Sequence, residues 1–541
     1  MTTERPFRGA TALVVLAFAL AALPALPELP LRRASQARAW VVAREMAATG
    51  DWAVPRYHGD ARLKKPPLQS WVQAAAMKVT GSDALPVAGF ASWLTGLLFA
   101  LGPLWIGTAL GRPGAGFLGS LLLCATRSTL WWGASPEHDL PFAGVVAASL
   151  AALARALRAD GRPSHAWTAG LCCGAAVLVK GPFAPAFVLG TALVAGWGPR
   201  GASSGVRRTT LWTALLVGTL LPVAAWLAVV TARLGSATAV ADEVLRQATG
   251  AEGAHVKRGL AWLVYYVGTV AKWAMPWTPV AVLCGVFLAR RRRRGEEVPR
   301  GPSLRFASIA VLVTFLVLTA TPAKQEHYLL PILPPLFLIV GALVTDAAAV
   351  LSRGARWAPV LVAGIGAAFA ASRVAAASDL STTGLLVLEL TFLALLVALA
   401  LPAALRKPPA LALAFAAFLA AAANGLAARR DAVRGLAEDD FRSDGARIEA
   451  LARPGEALVG FAPGPGEAFD TLVAWVRRPY ERVRDAPQLR DRIARDDAVV
   501  LVREIHLEEL GEVRRLLARR LTASPPRPKH AKDRVEVLRA R

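Results

Sequence analysis

The chain has 541 residues, 55% of them hydrophobic, with a formal net charge of +24 and a mean hydropathy of +0.43. That apolar content, with runs of about 20 residues recurring along the chain, excludes an ordinary soluble domain and points to a protein that crosses a membrane many times. The basic residues lie mostly between apolar runs and in the tail, without a nucleic-acid-binding motif, so the charge reads as membrane topology rather than nucleic-acid binding.

The first apolar run, 10–27, follows Arg5 and Arg8. Because many more spans follow, it is expected to stay as an uncleaved helix with a cytoplasmic N-terminus. About thirteen spans are expected in all: 10–27, 87–110, 115–133, 140–157, 166–180, 182–197, 210–232, 269–289, 305–322, 328–349, 357–376, 381–405 and 410–428. The short pair 166–180 and 182–197 also reads as one broken helix. With the N-terminus inside, every even-numbered loop is basic: Arg112, then Arg155, Arg158 and Arg162, then Arg200, Arg207 and Arg208, then Arg290 to Arg294, Arg353 and Arg356, and Arg406 and Lys407. The loop 29–86 is basic yet placed outside, which a functional demand for cations there would explain.

That loop is the most informative stretch. Within it, 37–49 carries Trp40, Val41, Met46 and Ala47 beside Arg38, Arg44 and Glu45, the pattern of a short amphipathic helix suited to a membrane interface. After Ala428 the chain turns polar. Strands are expected at 457–461, 498–502 and 534–538 and helices at 467–476, 488–494 and 507–521, with a proline-rich linker at 524–530. The expected fold class is therefore an all-α polytopic membrane domain, 1–428, with the loop 28–86 outside, and a small extracytoplasmic α/β domain, 429–541.

Cys124, Cys172, Cys173 and Cys284 lie in apolar runs and imply neither a disulfide framework nor a metal site. Glu137, His138 and Asp139 are adjacent, and adjacent residues rarely present one coordination face. No nucleotide-binding fingerprint occurs and no cofactor is expected.

The matched positions Arg38, Ala43, Arg44, Glu45, Met46, Gly50, Asp51, Trp52, Pro55, Gly59, Lys65, Pro66, Pro67, Leu68 and Trp71 resemble the first periplasmic loop of the ArnT/PMT-like glycosyltransferases, the family 39 type with the GT-C fold. The resemblance implies a polytopic enzyme of the bacterial inner membrane. It would take a sugar from a polyprenyl-phosphate carrier and place it on an envelope acceptor, such as lipid A, another glycolipid or a protein. It further implies phosphate-holding cations at Arg38 and Lys65, and similar roles for Lys180 in Leu178-Val-Lys-Gly-Pro182, for Lys324 and Tyr328 ahead of Pro331 and Pro334, and for His255 and Arg258 before Tyr265 and Tyr266. An isolated cation at a span end has another reading, snorkelling to the interface. The family's acidic pair in the first loop is replaced here by Ser35 and Gln36, and a further family acid by Lys64. Asp139, with Glu137 beside it, matches the family acid at the mouth of the cavity and is the candidate catalytic carboxylate, although Asp is also a common helix N-cap. The alternatives are a relative that only binds carrier lipid, or a transporter, for which no inverted repeat is visible.

Overall fold

The computed structural model describes residues 9–196, 205–238, 240–242, 260–275, 277–298, 304–321, 324–350, 417, 420–422, 425, 428–429, 432, 441–461, 472–478, 480–483, 485–494, 498–503, 507–510, 512–520 and 535–540. The expected spans 357–376 and 381–405, most of 410–428, and the linker 524–530 lie outside these residues. The chain forms two compact units. The first comprises Met1–Pro27, Leu63–Val72 and Gly89–Asp431, and the second Glu28–Arg62, Gln73–Ala88 and Ala432–Arg541.

The first unit is helical. Its helices are α1 (Ala10–Ala22), the greater part of α4 (Leu85–Ala109), α5 (Pro113–Cys124), α6 (Arg127–Trp132), α7 (Asp139–Ala156), α8 (Pro163–Lys180), α9 (Phe183–Gly196) and α10 (Arg208–Leu234). The helices Leu260–Trp273, Thr278–Arg293, Arg305–Ala320 and Leu333–Val350 follow, the last entered through the 3-10 turn Glu326–Ile332. Among the described residues four helical stretches are long and apolar enough to cross a membrane: Leu85–Ala109, Asp139–Ala156, Arg208–Leu234 and Glu326–Val350. Thirteen spans are not reached among the described residues.

Two expected spans are broken. The stretch 115–133 divides into α5 and α6, because Thr126 caps α6 by accepting the Thr129 amide and so turns the chain. The stretch 269–289 bends by 102° between Trp273 and Thr278. Pro279 sits in the first turn of the second piece, where proline starts helices readily but cannot continue one.

Small residues let the backbones of these helices touch. A Cβ on Gly341 would overlap the carbonyl oxygen of Ala115, and one on Gly119 the carbonyl of Phe337, so α5 and Leu333–Val350 meet backbone to backbone. Gly170, Gly174 and Gly218 do the same between α8 and α10. Gly341→Leu has no room at this contact. It is expected to destabilise the purified protein by about 1–3 kcal/mol in thermal unfolding, whereas Gly114→Ala, which faces open space, should not.

The second unit combines α2 (Ala34–Thr49), the hairpin β1 (Arg56–Tyr57) and β2 (Asp60–Ala61), most of α3 (Leu68–Thr80), and a five-stranded sheet of order β4-β3-β5-β7-β6. Its strands are β3 (Ala457–Phe461), β4 (Tyr480–Val483), β5 (Ala498–Arg503), β6 (Leu517–Arg520) and β7 (Val535–Ala540). β3 is parallel to β4 and β5, and β7 is antiparallel to β5 and β6. The helix expected at 507–521 is only Val513–Leu516, because the chain then pairs with β7 as β6. The edge strand β4, Tyr-Glu-Arg-Val, has no apolar alternation to announce it.

Within this unit α2 is fastened at several points. Arg44 donates to the carbonyls of Ala474 (2.9 Å) and Val476 (3.4 Å), and the Trp40 ring stands edge-on to Trp475 with centroids 4.8 Å apart. The Glu45 carboxylate accepts the amides of His58 (2.7 Å) and Gly59 (3.1 Å), which holds the hairpin turn where His58 adopts φ +53°. The His58 ring packs against Tyr57 and Tyr480. Burial, aided by the Arg44 charge, lowers its pKa to about 4. Burial raises the Glu45 carboxyl above its ordinary value, against the pull of the two amides.

Candidate active site

The first unit gathers a charged cluster at three helix ends. α7 starts at Asp139 after His138, the N-cap residue, so Asp139 occupies the first helical position rather than the cap. Its carboxylate faces the amino end of the helix dipole, which favours negative charge. α8 ends at Lys180 because Gly181 takes φ +105° and Pro182 follows. The Lys180 ammonium donates to Asp139 Oδ1 in an ion pair whose side chains are both only 9% exposed.

The third contributor is the 3-10 turn Glu326–Ile332. Tyr328 lays its ring under Lys180, with Nζ 4.4 Å from the centroid. His327 places Nε2 3.6 Å from Asp139 Oδ1. Its ring stands edge-on to Tyr328 (4.9 Å) and to Trp132 (6.5 Å), and Trp132 packs on Trp273 at 4.2 Å. Lys65, on the Leu63–Val72 segment of the same unit, lies within electrostatic reach of Asp139. Asp139, Lys180, Tyr328 and Lys65 are therefore brought together from four separated stretches of the chain.

The other expected site residues fare differently. Glu137 is buried, 3% exposed, and accepts the Ser135 hydroxyl at 3.2 Å. Lys324 is 2% exposed and turned inward: its ammonium donates to the carbonyls of Leu318 (2.8 Å), Thr319 (2.7 Å) and Thr321 (2.5 Å), closing the end of the helix Arg305–Ala320. Arg38 is a half-buried residue of α2 in the second unit. His255 and Arg258 lie outside the described residues. Gln36, at an expected acidic position, is 5% exposed and accepts the amides of Arg32 (2.9 Å) and Arg33 (3.1 Å), so it holds the start of α2.

The residue that sequence reasoning passed over is His327. The run Glu326-His327-Tyr328 put a titratable ring ahead of an apolar span, but nothing local showed that this turn would meet α7. Chemically the cluster offers one carboxylate, two ammonium groups and one imidazole, a set able to hold an anionic group and to move a proton.

No protein-family model matches the chain, and no curated protein sequence matches it. Among solved structures, ArnT from Cupriavidus metallidurans is similar in two states. Bound to undecaprenyl phosphate it superposes with a TM-score of 0.70 at 19% identity, covering 98% of this chain and 97% of that one. In the apo state the TM-score is 0.71 at 19% identity, covering 98% of each. The archaeal oligosaccharyltransferase of Archaeoglobus fulgidus, in the apo form, gives a TM-score of 0.48 at 11% identity, over 92% of this chain and 69% of that one. The resemblance read from the first loop thus extends to the architecture: the chain has an ArnT-like GT-C fold over nearly its whole length.

Proposed function

We propose that the protein is a polyprenyl-phosphate-dependent membrane glycosyltransferase. It moves a sugar from the carrier to an envelope acceptor, lipid A, another glycolipid or a protein, at the periplasmic face of the bacterial inner membrane. The observation that carries this reading is the cluster of Asp139, Lys180 and Lys65 in a fold like that of ArnT, which was solved with undecaprenyl phosphate. In this reading Lys65 holds the carrier phosphate, Lys180 and Tyr328 keep Asp139 in place, Asp139 acts on the acceptor, and Arg38 is a further carrier-binding cation of the first loop. His255 and Arg258 complete the carrier site. Residues 1–428 form the membrane domain and 429–541 a periplasmic domain. A second reading, a carrier-binding relative without transferase activity, is favoured by Ser35 and Gln36, neither of which can serve as a carboxylate.

The test is sugar transfer from a panel of undecaprenyl-phosphate sugars by the purified protein, together with direct binding of undecaprenyl phosphate. Lys65→Ala is expected to weaken carrier binding roughly 10- to 100-fold, the value of a charged hydrogen bond to phosphate. The thermal midpoint should barely move, because a half-exposed cation adds little stability. Unchanged binding in both Lys65→Ala and Arg38→Ala removes the proposed phosphate site. Binding without transfer favours the second reading.

Topology is tested separately. A reporter fused at Gly295 is expected to read as cytoplasmic and one at Arg541 as periplasmic. A cytoplasmic signal from Arg541 would overturn the placement of the tail.

A further inference from the structure

We infer that His327 takes up the proton released by glycosyl transfer and, once charged, holds the product phosphate. This inference rests on the proposed reading of the site as a polyprenyl-phosphate glycosyltransferase.

A polyprenyl monophosphate sugar is a phosphodiester and carries one negative charge. In transfer, a lone pair on the acceptor O–H or neutral N–H attacks the anomeric carbon. The bond from that carbon to the phosphate oxygen breaks, and its electron pair stays on the phosphate. The product is a phosphate monoester that approaches two negative charges near neutral pH, and the acceptor has one proton to lose. A site suited to both ends of the reaction needs one more positive charge afterwards than before.

Among the described residues of the cluster, His327 is the group that can gain that charge. Within the cluster itself, Lys65 and Lys180 against Asp139 leave one net positive charge. The neighbouring described charges have other partners, Glu137 accepting the Ser135 hydroxyl. Lys272, on Leu260–Trp273, pairs with Glu326 at 2.7 and 2.9 Å. Lys324 is spent on three carbonyls and stands 5.1 Å from the Tyr266 ring. Arg127, on α6, lies over the Trp273 ring at 5.4 Å. Lys180 is already bound to the carboxylate.

An imidazole is the side chain whose ordinary titration falls between pH 5 and 8. His327 has its Nε2 3.6 Å from Asp139 Oδ1, and its side chain keeps 20% exposure, unlike the nearly closed Lys180 and Asp139. Asp139, which draws the proton from the acceptor, passes it to the imidazole and then has a second task. It faces the imidazolium as it forms, while the product phosphate supplies the other counter-charge.

Binding of the product isolates this step from turnover. The probe is undecaprenyl phosphate itself, titrated calorimetrically into the purified protein near pH 7.5 in buffers of different ionisation enthalpy, which gives the protons exchanged per lipid bound. Wild type is expected to take up a substantial fraction of a proton more than His327→Gln, the phosphate's own titration being common to both. The Gln variant should bind roughly tenfold more weakly at pH 6.5, with a flatter pH dependence. His327→Lys, a permanent cation, should bind tightly without the extra uptake, and it carries the test if the Gln variant fails to fold. Equal proton uptake in wild type and both variants overturns the role of His327 and leaves the wider reading standing. Absence of carrier binding by wild type overturns both.

Discussion

Asp139→Asn is expected to lose most sugar transfer, by about 10² to 10⁴ in rate, the usual worth of acid–base assistance. The same change should cost stability. Asn cannot balance the Lys180 ammonium, which is 9% exposed and bonded to the Asp139 carboxylate. Breaking a buried ion pair by removing one partner costs about 3–5 kcal/mol, because the remaining charge stays buried. Loss of activity alone would therefore not separate chemistry from unfolding. The double variant Asp139→Asn with Lys180→Met does so: it removes both charges and is expected to recover much of the thermal stability while staying inactive. Glu28→Gln, a change in the second unit, should transfer sugar at the wild-type rate. Full activity in Asp139→Asn, measured on the same panel of carrier-linked sugars, would sink the assignment.

Acid should loosen the second unit through His58. Its pKa in the folded protein is lowered to about 4 from an ordinary 6.5, first by burial and then by Arg44. Its Nε2 is buried without a hydrogen-bond partner among the described residues. The unfolded chain binds the proton more readily, so this contribution to stability is fully present above about pH 6.5 and is lost as pH falls towards 4. A shift of that size is worth about 3 kcal/mol. Glu45 works in the opposite direction, since its raised carboxyl makes the fold relatively better in acid. The informative quantity is therefore the difference between wild type and His58→Asn. Asn tolerates the left-handed backbone at this position but does not titrate. Denaturation of the purified protein from pH 7.5 to 4.5 should show wild type losing stability faster than His58→Asn. Parallel curves would show that His58 has no part in the acid response.

What could be read from the chain without its fold was whatever short-range patterning controls. Apolar runs gave helices because a membrane leaves no other partner for the backbone. The strands at 457–461 and 498–502 stood out as continuous β-branched and apolar runs, which only a sheet covered on both faces needs. The stop at Lys180 was written in Gly181 and Pro182. Lys324 shows the limit of such reading. A lysine beside a family-like motif looked like a phosphate ligand, but its ammonium folds back onto three carbonyls that the helix end leaves unsatisfied.

Tertiary structure alone decided which distant charges share a site. Asp139, Lys180 and His327 are separated by 41 residues and more, and no periodicity links them. They meet because α7, α8 and the turn before Leu333–Val350 end close together, after glycines elsewhere allow the helices to approach at backbone distance. An ion pair with both side chains 9% exposed persists only if each charge finds the other as water is removed, so the pairing belongs to the packed fold rather than to the local sequence.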